Sequence, residues 1–191
     1  MPYPSQVDIE TLIDTARTLI EQSGVEQLTL QRLADEFGIK APSLYKHVKN
    51  KTTLLQAVNT RTGALLVNTI QESLESASDD PIQRLLTMGR TYRDFALQYP
   101  ATYSLLYGTL NPELRLDPQI AEALALPLQV EMMAIVGEAN ALAALRGAWA
   151  LIHGFVMLEL SQQFQRGGSL ETVFEQALLA YLRGWLTPHA P

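Results

Sequence analysis

All four lysines of this 191-residue chain lie within twelve consecutive residues, at Lys40, Lys46, Lys49 and Lys51. No acidic residue occurs from Ile39 through Gln71, although the whole chain carries a formal net charge of −6. A local positive patch on an acidic protein attracts an anion, and the surroundings of this patch indicate that the anion is DNA.

The side chains around these lysines are of the types that contact a duplex. Lys46 can donate to guanine O6 and N7 or to a phosphate, and Ser43 can donate to or accept from a base edge. Tyr45 offers its ring to a thymine methyl group and its hydroxyl to a phosphate. Lys51 and Thr29 stand at predicted helix N-termini, where backbone N–H groups also favour a phosphate. A charge run by itself is more often a solvated basic face, so the interpretation depends on the helices that carry these residues.

Two short helices are predicted to position this segment, Leu30–Phe37 and about Ala41–Val48, with Gly38 beginning the tight turn between them. In the second helix Leu44 and Val48 are apolar and four residues apart, so they face inward and the other side chains point outward. This spacing is typical of a helix-turn-helix, whose second helix enters the major groove of DNA.

The rest of the chain also has the helical period, and strand patterns are almost absent. A helix is predicted from Ile9 to Ile20 with Gly24 as its C-cap, and a long helix from Lys51 to about Leu74. Further helices are predicted at about Pro81–Gln98, Ala101–Tyr107, Asp117–Gly137, Ala141–Gln165 and Ser169–Leu186. Pro127 is expected to kink or interrupt the third of these.

The predicted fold class is therefore all-α, with two domains. Residues 1–52 form a three-helix helix-turn-helix domain, and a long helix joins it to a larger helical bundle in residues 53–191. A polar stretch ending at Pro81 marks a further plausible joint. With 47% hydrophobic and 18% charged residues, the composition is that of a globular chain and not of a disordered one.

The composition also argues against metal, cofactor and enzyme chemistry. The chain has no cysteine, its three histidines have no metal-ligand spacing, and it has no glycine-rich phosphate loop. No carboxylate–histidine motif has a recognisable catalytic spacing. The first five residues lack a basic start and an apolar run, so no signal peptide is expected. The apolar stretch Ala141–Leu158 carries Arg146 and His153 near its middle, which favours a buried helix over a membrane span.

Residues 7 to about 60 resemble the N-terminal domain of tetracycline-repressor (TetR) type regulators, most specifically in Ser43-Leu44-Tyr45, His47-Val48 and Asn50-Lys51. The resemblance implies phosphate contacts at Thr29, Tyr45, His47 and Lys51. It implies base reading at Lys40, Ala41, Pro42, Ser43 and Lys46. Gln31 stands where some relatives carry a basic base-reading residue. The family also implies a cytoplasmic homodimer on a pseudo-palindromic operator. Physics favours two half-sites as well, because one reading helix contacts few bases.

In the larger domain, Trp149, His153 and Gly154 resemble the Trp-His-Gly signature of one TetR subgroup, which implies a ligand-sensing domain. Ligand pockets are mostly apolar with a few polar tips, and aromatic residues and methionines recur here at helical spacing. The predicted ligand-binding residues are Met88, Tyr92, Phe95, Tyr103, Tyr107, Trp149, His153 and Met157. Each of them taken singly is more often a core residue than a ligand contact.

The last two helices are apolar on nearly every side, which favours a four-helix dimer interface, with the internal core of a monomer as the alternative. Gly147 and Gly154, seven residues apart, are predicted to allow the helix backbones to approach closely there.

The sequence thus predicts a transcriptional regulator, a repressor released from DNA by a small apolar effector. The long helix from Lys51 is the predicted lever, softened at Gly63. One alternative is a DNA-binding adaptor controlled by a protein partner, which a closed, well-packed second domain would favour. Another is a helical enzyme or ligand carrier.

Overall fold

The computed structural model describes residues 8–108 and 111–186, and these residues are helical with no strand among them. The all-α prediction is confirmed. The α-helices are α1 Ile9–Ser23, α2 Leu30–Glu36, α3 Lys51–Glu75, α4 Pro81–Gln98, α5 Pro100–Tyr107, α6 Pro118–Val136, α7 Glu138–Leu160 and α8 Leu170–Gly184. Three short 3-10 helices span Val25–Gln27, Ala41–Lys46 and Pro112–Leu114.

The chain divides into two compact units, which differ from the predicted sequence domains. Among the described residues, unit 1 takes 8–65, 99–108 and 111–121, and unit 2 takes 66–98 and 122–186. Unit 1 thus extends past residue 52 through the first part of α3 and includes α5, which packs on α1. The functional boundary between residues 52 and 53 stays a prediction.

Unit 1 is held by a core that includes Leu12, Leu33 and Leu44, all fully buried. The ends of α1 explain where that helix starts and stops. The Asp8 carboxylate accepts from the backbone N–H of Thr11 at 2.8 Å, and this bond lowers the pKa of Asp8. Gly24, at φ +82°, closes the other end by donating to the Ile20 carbonyl.

Helix α5 takes its N-terminal cap from a neighbouring helix of unit 1. The Glu21 carboxylate of α1 accepts from the backbone N–H groups of Ala101 and Thr102, at 3.0 and 2.8 Å, and from the Thr102 hydroxyl. The Arg17 guanidinium lies 5.1 Å from the centroid of the Tyr99 ring. Because a carboxylate favours a helix N-terminus, these contacts tie α5 to α1.

In unit 2, α4 packs against both α7 and α8. The close approach to α8 depends on Gly89, since a Cβ there would lie 2.6 Å from Cδ2 of Leu178. Phe95, Phe174 and Leu178 are buried in this core.

Two of the sequence expectations about helices were wrong. The second helix of the helix-turn-helix is a 3-10 helix of six residues and not an α-helix to Val48, with Ser43 N–H donating to the Lys40 carbonyl at 2.8 Å. Helix α7 ends at Leu160, five residues before the predicted end at Gln165, and the Ser161 N–H closes it on the Met157 carbonyl.

Helix α6 continues through Pro127 without interruption. Proline removes one backbone hydrogen bond, and the burial of Leu124 and Leu128 on either side offsets that loss.

By length and composition alone, α6 and α7 are apolar enough to cross a bilayer. This is weak evidence, because core helices of soluble proteins have the same properties, and α7 buries Ala144, Ile152 and Val156 inside unit 2.

Candidate DNA-binding site and ligand cavity

The helix-turn-helix of unit 1 is built on a small shared core. Leu33 and Ala34 of α2 and Leu44 of the 3-10 helix are fully buried, and the two helices pack on each other. The turn between them needs Gly38, whose φ of +62° is the left-handed conformation that L side chains rarely adopt. The Ile39 N–H then donates to the Ala34 carbonyl at 3.1 Å and closes the turn.

The other side chains of this second helix face outward. Pro42, Ser43, Tyr45, Lys46 and His47 are exposed, Ala41 is half-buried, and Leu44 and Val48 are 0% and 2% exposed. Tyr45 leaves 57% of its surface in solvent, so its ring and hydroxyl are accessible to a partner. The predicted inward positions and the outward positions from Pro42 to His47 are confirmed. Ala41 was also predicted to point outward, but it packs against the core of unit 1.

Two of the predicted phosphate-contacting residues, Thr29 and Lys51, lie at helix starts. The Thr29 hydroxyl accepts from the backbone N–H of Arg32 at 3.0 Å and caps α2, as predicted. Lys51 is the first residue of α3, and the Asn50 side chain caps that helix by accepting from the Thr53 N–H at 2.8 Å. Lys40 is exposed and directly precedes the 3-10 helix.

Two polar side chains of α2 are already engaged within unit 1. The Gln31 amide donates to the Asp35 carboxylate at 2.7 Å. The Arg32 guanidinium donates to the Ser23 hydroxyl at 2.7 Å, so it ties α2 to α1. The role of Gln31 in DNA reading stays a prediction.

Unit 2 contains a small apolar cavity of about 10 Å³, which is about the room that one water molecule needs. Helices α3, α4, α6 and α7 contribute its walls. The lining residues are Ile70, Met88, Tyr92, Leu124, Leu128, Trp149 and Ile152.

The cavity brings together three of the predicted ligand-binding residues, Met88, Tyr92 and Trp149. The Tyr92 and Trp149 rings meet edge to face with centroids 5.8 Å apart. The aliphatic lining residues were not singled out from the sequence, because their spacing is that of any core residue. Only the packing of several helices distinguishes them.

The other predicted ligand-binding residues do not line this cavity. Phe95 is a core residue of unit 2, and His153 and Met157 are half-buried on α7. Tyr103 and Tyr107 belong to α5 in unit 1, where their ring centroids are 5.1 Å apart and Tyr103 is fully buried. Their roles in ligand binding stay predictions.

Burial controls the charge of His153. The Tyr92 hydroxyl lies 3.5 Å from Nδ1 of His153, and loss of solvation lowers the pKa of the imidazole. The neutral form is therefore favoured at pH 7.

Three arginines of α4 are each engaged by a carboxylate from another helix of unit 2. Arg84 pairs with Glu131 of α6 at 2.5 Å, and Arg90 pairs with Glu175 of α8. Arg93 forms two hydrogen bonds with Glu159 of α7, at 2.6 and 2.7 Å, which raise the pKa of Arg93. These pairs bind α4 to each of its partner helices.

The outer faces of α7 and α8 carry exposed apolar residues. Leu142 and Leu158 on α7 and Val173 on α8 are 45–49% exposed. A Cβ at Gly154 would meet no atom within 4 Å, whereas the space beside Gly147 is filled by the side chain of Tyr181 from the same chain. Gly147 therefore makes room for a side chain of its own chain, and its role in a contact between two copies stays a prediction.

A helical protein that exposes the polar side chains of a helix-turn-helix has the architecture of a DNA-binding regulator. The family described as "Bacterial regulatory proteins, tetR family" matches residues 12–58, and "Tetracyclin repressor-like, C-terminal domain" matches residues 85–181. The chain belongs to the TetR family of bacterial transcriptional regulators.

Relatives agree with this assignment. The uncharacterized HTH-type transcriptional regulator Rv0681 of Mycobacterium tuberculosis is 30% identical over 163 residues, which cover 83% of this chain and 72% of that protein. Tetracycline repressor protein class D of Escherichia coli is 31% identical over 113 residues, 59% of this chain and 50% of that protein.

Solved structures share the fold. A protein with unknown function from Rhodococcus sp. RHA1 has a TM-score of 0.80 at 21% identity, with 96% of this chain and 98% of that chain covered. A TetR variant from Acinetobacter baumannii AYE, in complex with minocycline, has a TM-score of 0.69 at 22% identity, with 94% of this chain and 97% of that chain covered. The chain is accordingly a DNA-binding transcriptional regulator and not an enzyme.

Proposed function

We propose that this regulator is a cytoplasmic homodimeric repressor that reads a pseudo-palindromic operator and is released from it by a small apolar effector. The observation that carries the DNA-binding part is the burial of Leu44 and Val48, which leaves the polar face of the 3-10 helix in solvent. A six-residue helix exposes few base-reading side chains, so two copies on two half-sites supply useful specificity.

The side chains fall into two contact classes. Ser43 and Lys46, with Lys40, Ala41 and Pro42, read base edges. Thr29, Tyr45, His47 and Lys51 hold phosphates, and Gln31 lies beside them on α2.

The experiment that tests these classes begins by selecting the operator from a random duplex library with the wild-type protein. Affinities for the operator and its single-base variants are then measured at several salt concentrations for three alanine variants. Lys51→Ala should weaken binding to all sequences and reduce the salt slope by about one unit. Lys46→Ala should also change the preference at particular base pairs, by about 1–3 kcal/mol.

Lys49→Ala is the matched control, because Lys49 is exposed in the same basic segment and has no assigned base contact. If the preference for particular base pairs is the same in Lys46→Ala as in Lys49→Ala, Lys46 does not read bases.

The effector part is supported by the apolar cavity of unit 2 and by the minocycline complex of a protein with the same fold. An effector releases DNA only if it binds the two states of the protein unequally. The lever is α3, which begins at the DNA-binding segment with Lys51 and lines the cavity with Ile70.

A second candidate function is favoured by the size of that cavity. With room for about one water molecule, unit 2 is nearly closed, as expected of a regulator controlled by a protein partner without a small effector. This candidate would be favoured if no ligand of the cavity changed the affinity for the operator while the protein remained a dimer.

A further inference from the structure

We propose that the cavity of unit 2 selects uncharged aromatic ligands and excludes carboxylates, phosphates and amines of the same shape. This names the chemical class of the effector and so rests on the proposed function.

The first argument is the chemistry of the cavity wall. Its seven lining residues are five aliphatic or thioether side chains and two aromatic ones, and none carries a charge. The edge-to-face pair of Tyr92 and Trp149 presents ring surfaces on which an aromatic ligand can stack. A charged group that entered this wall would lose its hydration without gaining a partner.

The second argument is that Arg93, which follows the wall residue Tyr92 in sequence, is already paired. Its Nε and Nη2 donate to the Glu159 carboxylate, at 2.7 and 2.6 Å, and its Nη1 lies 3.9 Å from the Asp94 carboxylate. The side chain of Arg93 and that of Glu159 are each 11% exposed, so a ligand anion would have to displace a carboxylate from a largely buried pair. Breaking such a pair is costly because it leaves a buried charge uncompensated.

A polar contact made by the wall also favours a neutral ligand. The Tyr92 hydroxyl lies near Nδ1 of His153, whose neutral form is favoured by burial. A phenol or ketone oxygen can exchange hydrogen bonds with such a pair, whereas a full charge would receive no compensation.

The ligand must enlarge the cavity, since any aromatic ring exceeds its volume of about 10 Å³. We expect Met88 and Trp149 to be the wall residues that rearrange. Methionine is unbranched and adapts its shape readily, and Trp149 is only half-buried. The ligand therefore binds a conformation with a rearranged cavity wall more tightly than the closed conformation. Release of DNA requires such a difference in affinity between two conformations of the protein.

The test uses three ligands with the same ring system, namely 1-naphthol, 1-naphthoate and 1-naphthylmethylamine, with the full-length wild-type protein at pH 7. Binding is measured by isothermal titration calorimetry. 1-Naphthol should bind about a hundredfold or more tightly than either charged ligand, because both ions lose hydration on burial. Equal or tighter binding of the naphthoate or the amine would overturn the proposal, as would the absence of 1-naphthol binding.

A matched pair of variants locates the ligand. Leu128→Trp fills the cavity and should abolish 1-naphthol binding, whereas Val130→Trp on the same helix, at a position 62% exposed, should leave the affinity unchanged. Equal affinities in folded forms of both variants would place the ligand elsewhere and overturn the proposal. Because the comparison of the three ligands uses the wild-type protein, it stands even if Leu128→Trp fails to fold.

Operator binding separates this proposal from the proposed function. If 1-naphthol binds in the cavity with the expected preference and leaves operator affinity unchanged, the ligand class is supported and the effector role is contradicted.

Discussion

At the scale of single residues, Thr29 has two roles that can be separated by substitution. Its hydroxyl caps α2 through the Arg32 N–H, and the proposed function also places it against a phosphate. The cap needs an oxygen acceptor, whereas the phosphate contact needs a hydroxyl donor without negative charge.

Thr29→Asp should therefore preserve stability and abolish tight DNA binding. Aspartate is at least as good an N-cap as threonine, so the free energy of unfolding should change by less than about 0.5 kcal/mol. A carboxylate facing a phosphate should lower operator affinity by at least about tenfold. Urea unfolding and operator titration measure the two effects.

Thr29→Ser is the control, since it keeps both the acceptor and the donor and should resemble the wild-type protein in both measurements. If Thr29→Asp binds the operator as well as Thr29→Ser does, Thr29 lies away from the phosphates.

Which residues of the helix-turn-helix are buried could largely be predicted from the sequence, because burial there follows from local spacing. Two apolar residues four apart, Leu44 and Val48, settle which side of a short helix is inside. The cavity could not be predicted in the same way. Tyr92 lines it and Tyr103 does not, although both sit in aromatic stripes of helical spacing, and only the division into two units distinguishes them.

At the scale of helices, the contact between α7 and α8 depends on the pairing of Gly147 with Tyr181. The Tyr181 hydroxyl donates to the Ala144 carbonyl at 2.8 Å, and a Cβ at Gly147 would lie 2.1 Å from the same oxygen. Glycine at this position makes room for a side chain of its own chain, which the spacing of Gly147 and Gly154 alone does not reveal.

Gly147→Ala should consequently destabilise unit 2 by about 1–3 kcal/mol, because the added methyl group forces the Tyr181 ring outward. Tyr181→Phe should cost about 1 kcal/mol through the lost hydrogen bond. The double variant should cost less than the sum by at least about 0.5 kcal/mol, since removing the hydroxyl relieves the closest contact. Denaturant unfolding of the wild-type protein and the three variants measures this cycle. Additive costs would show that Gly147 and Tyr181 do not interact.

Helix ends were predicted closely where a cap is visible in the sequence, as at Thr29 and Gly24. They were missed where tertiary packing overrides local preference. Pro127 was expected to kink or interrupt α6. The helix is not interrupted and continues through Pro127 between the buried side chains of Leu124 and Leu128, while the kink stays a prediction. Gly63 illustrates the same limit. A Cβ there would lie 2.6 Å from Cδ1 of Leu116, so close packing accounts for the glycine that was predicted to soften the lever.

At the scale of the whole molecule, the proposed dimer requires the outer faces of α7 and α8 to join two copies of the chain. Exposed apolar residues lie on these helices and also on α6, at Leu126, Val130 and Met133, so a substitution on each surface tests the choice. In a two-fold interface any substitution occurs twice, so a buried charge there is doubly destabilising.

Val173→Asp on α8 should therefore dissociate the dimer at micromolar concentration. Val173 is 48% exposed in the single chain, and two buried carboxylates without partners should weaken association by at least about a hundredfold. Operator affinity should fall with it, because a single reading helix retains only one half-site. Val130→Asp on α6, at a position 62% exposed and outside the proposed interface, should remain dimeric and keep its operator affinity. Sedimentation velocity and operator titration compare the two variants. A dimer that survives Val173→Asp but not Val130→Asp would move the interface from α8 to α6.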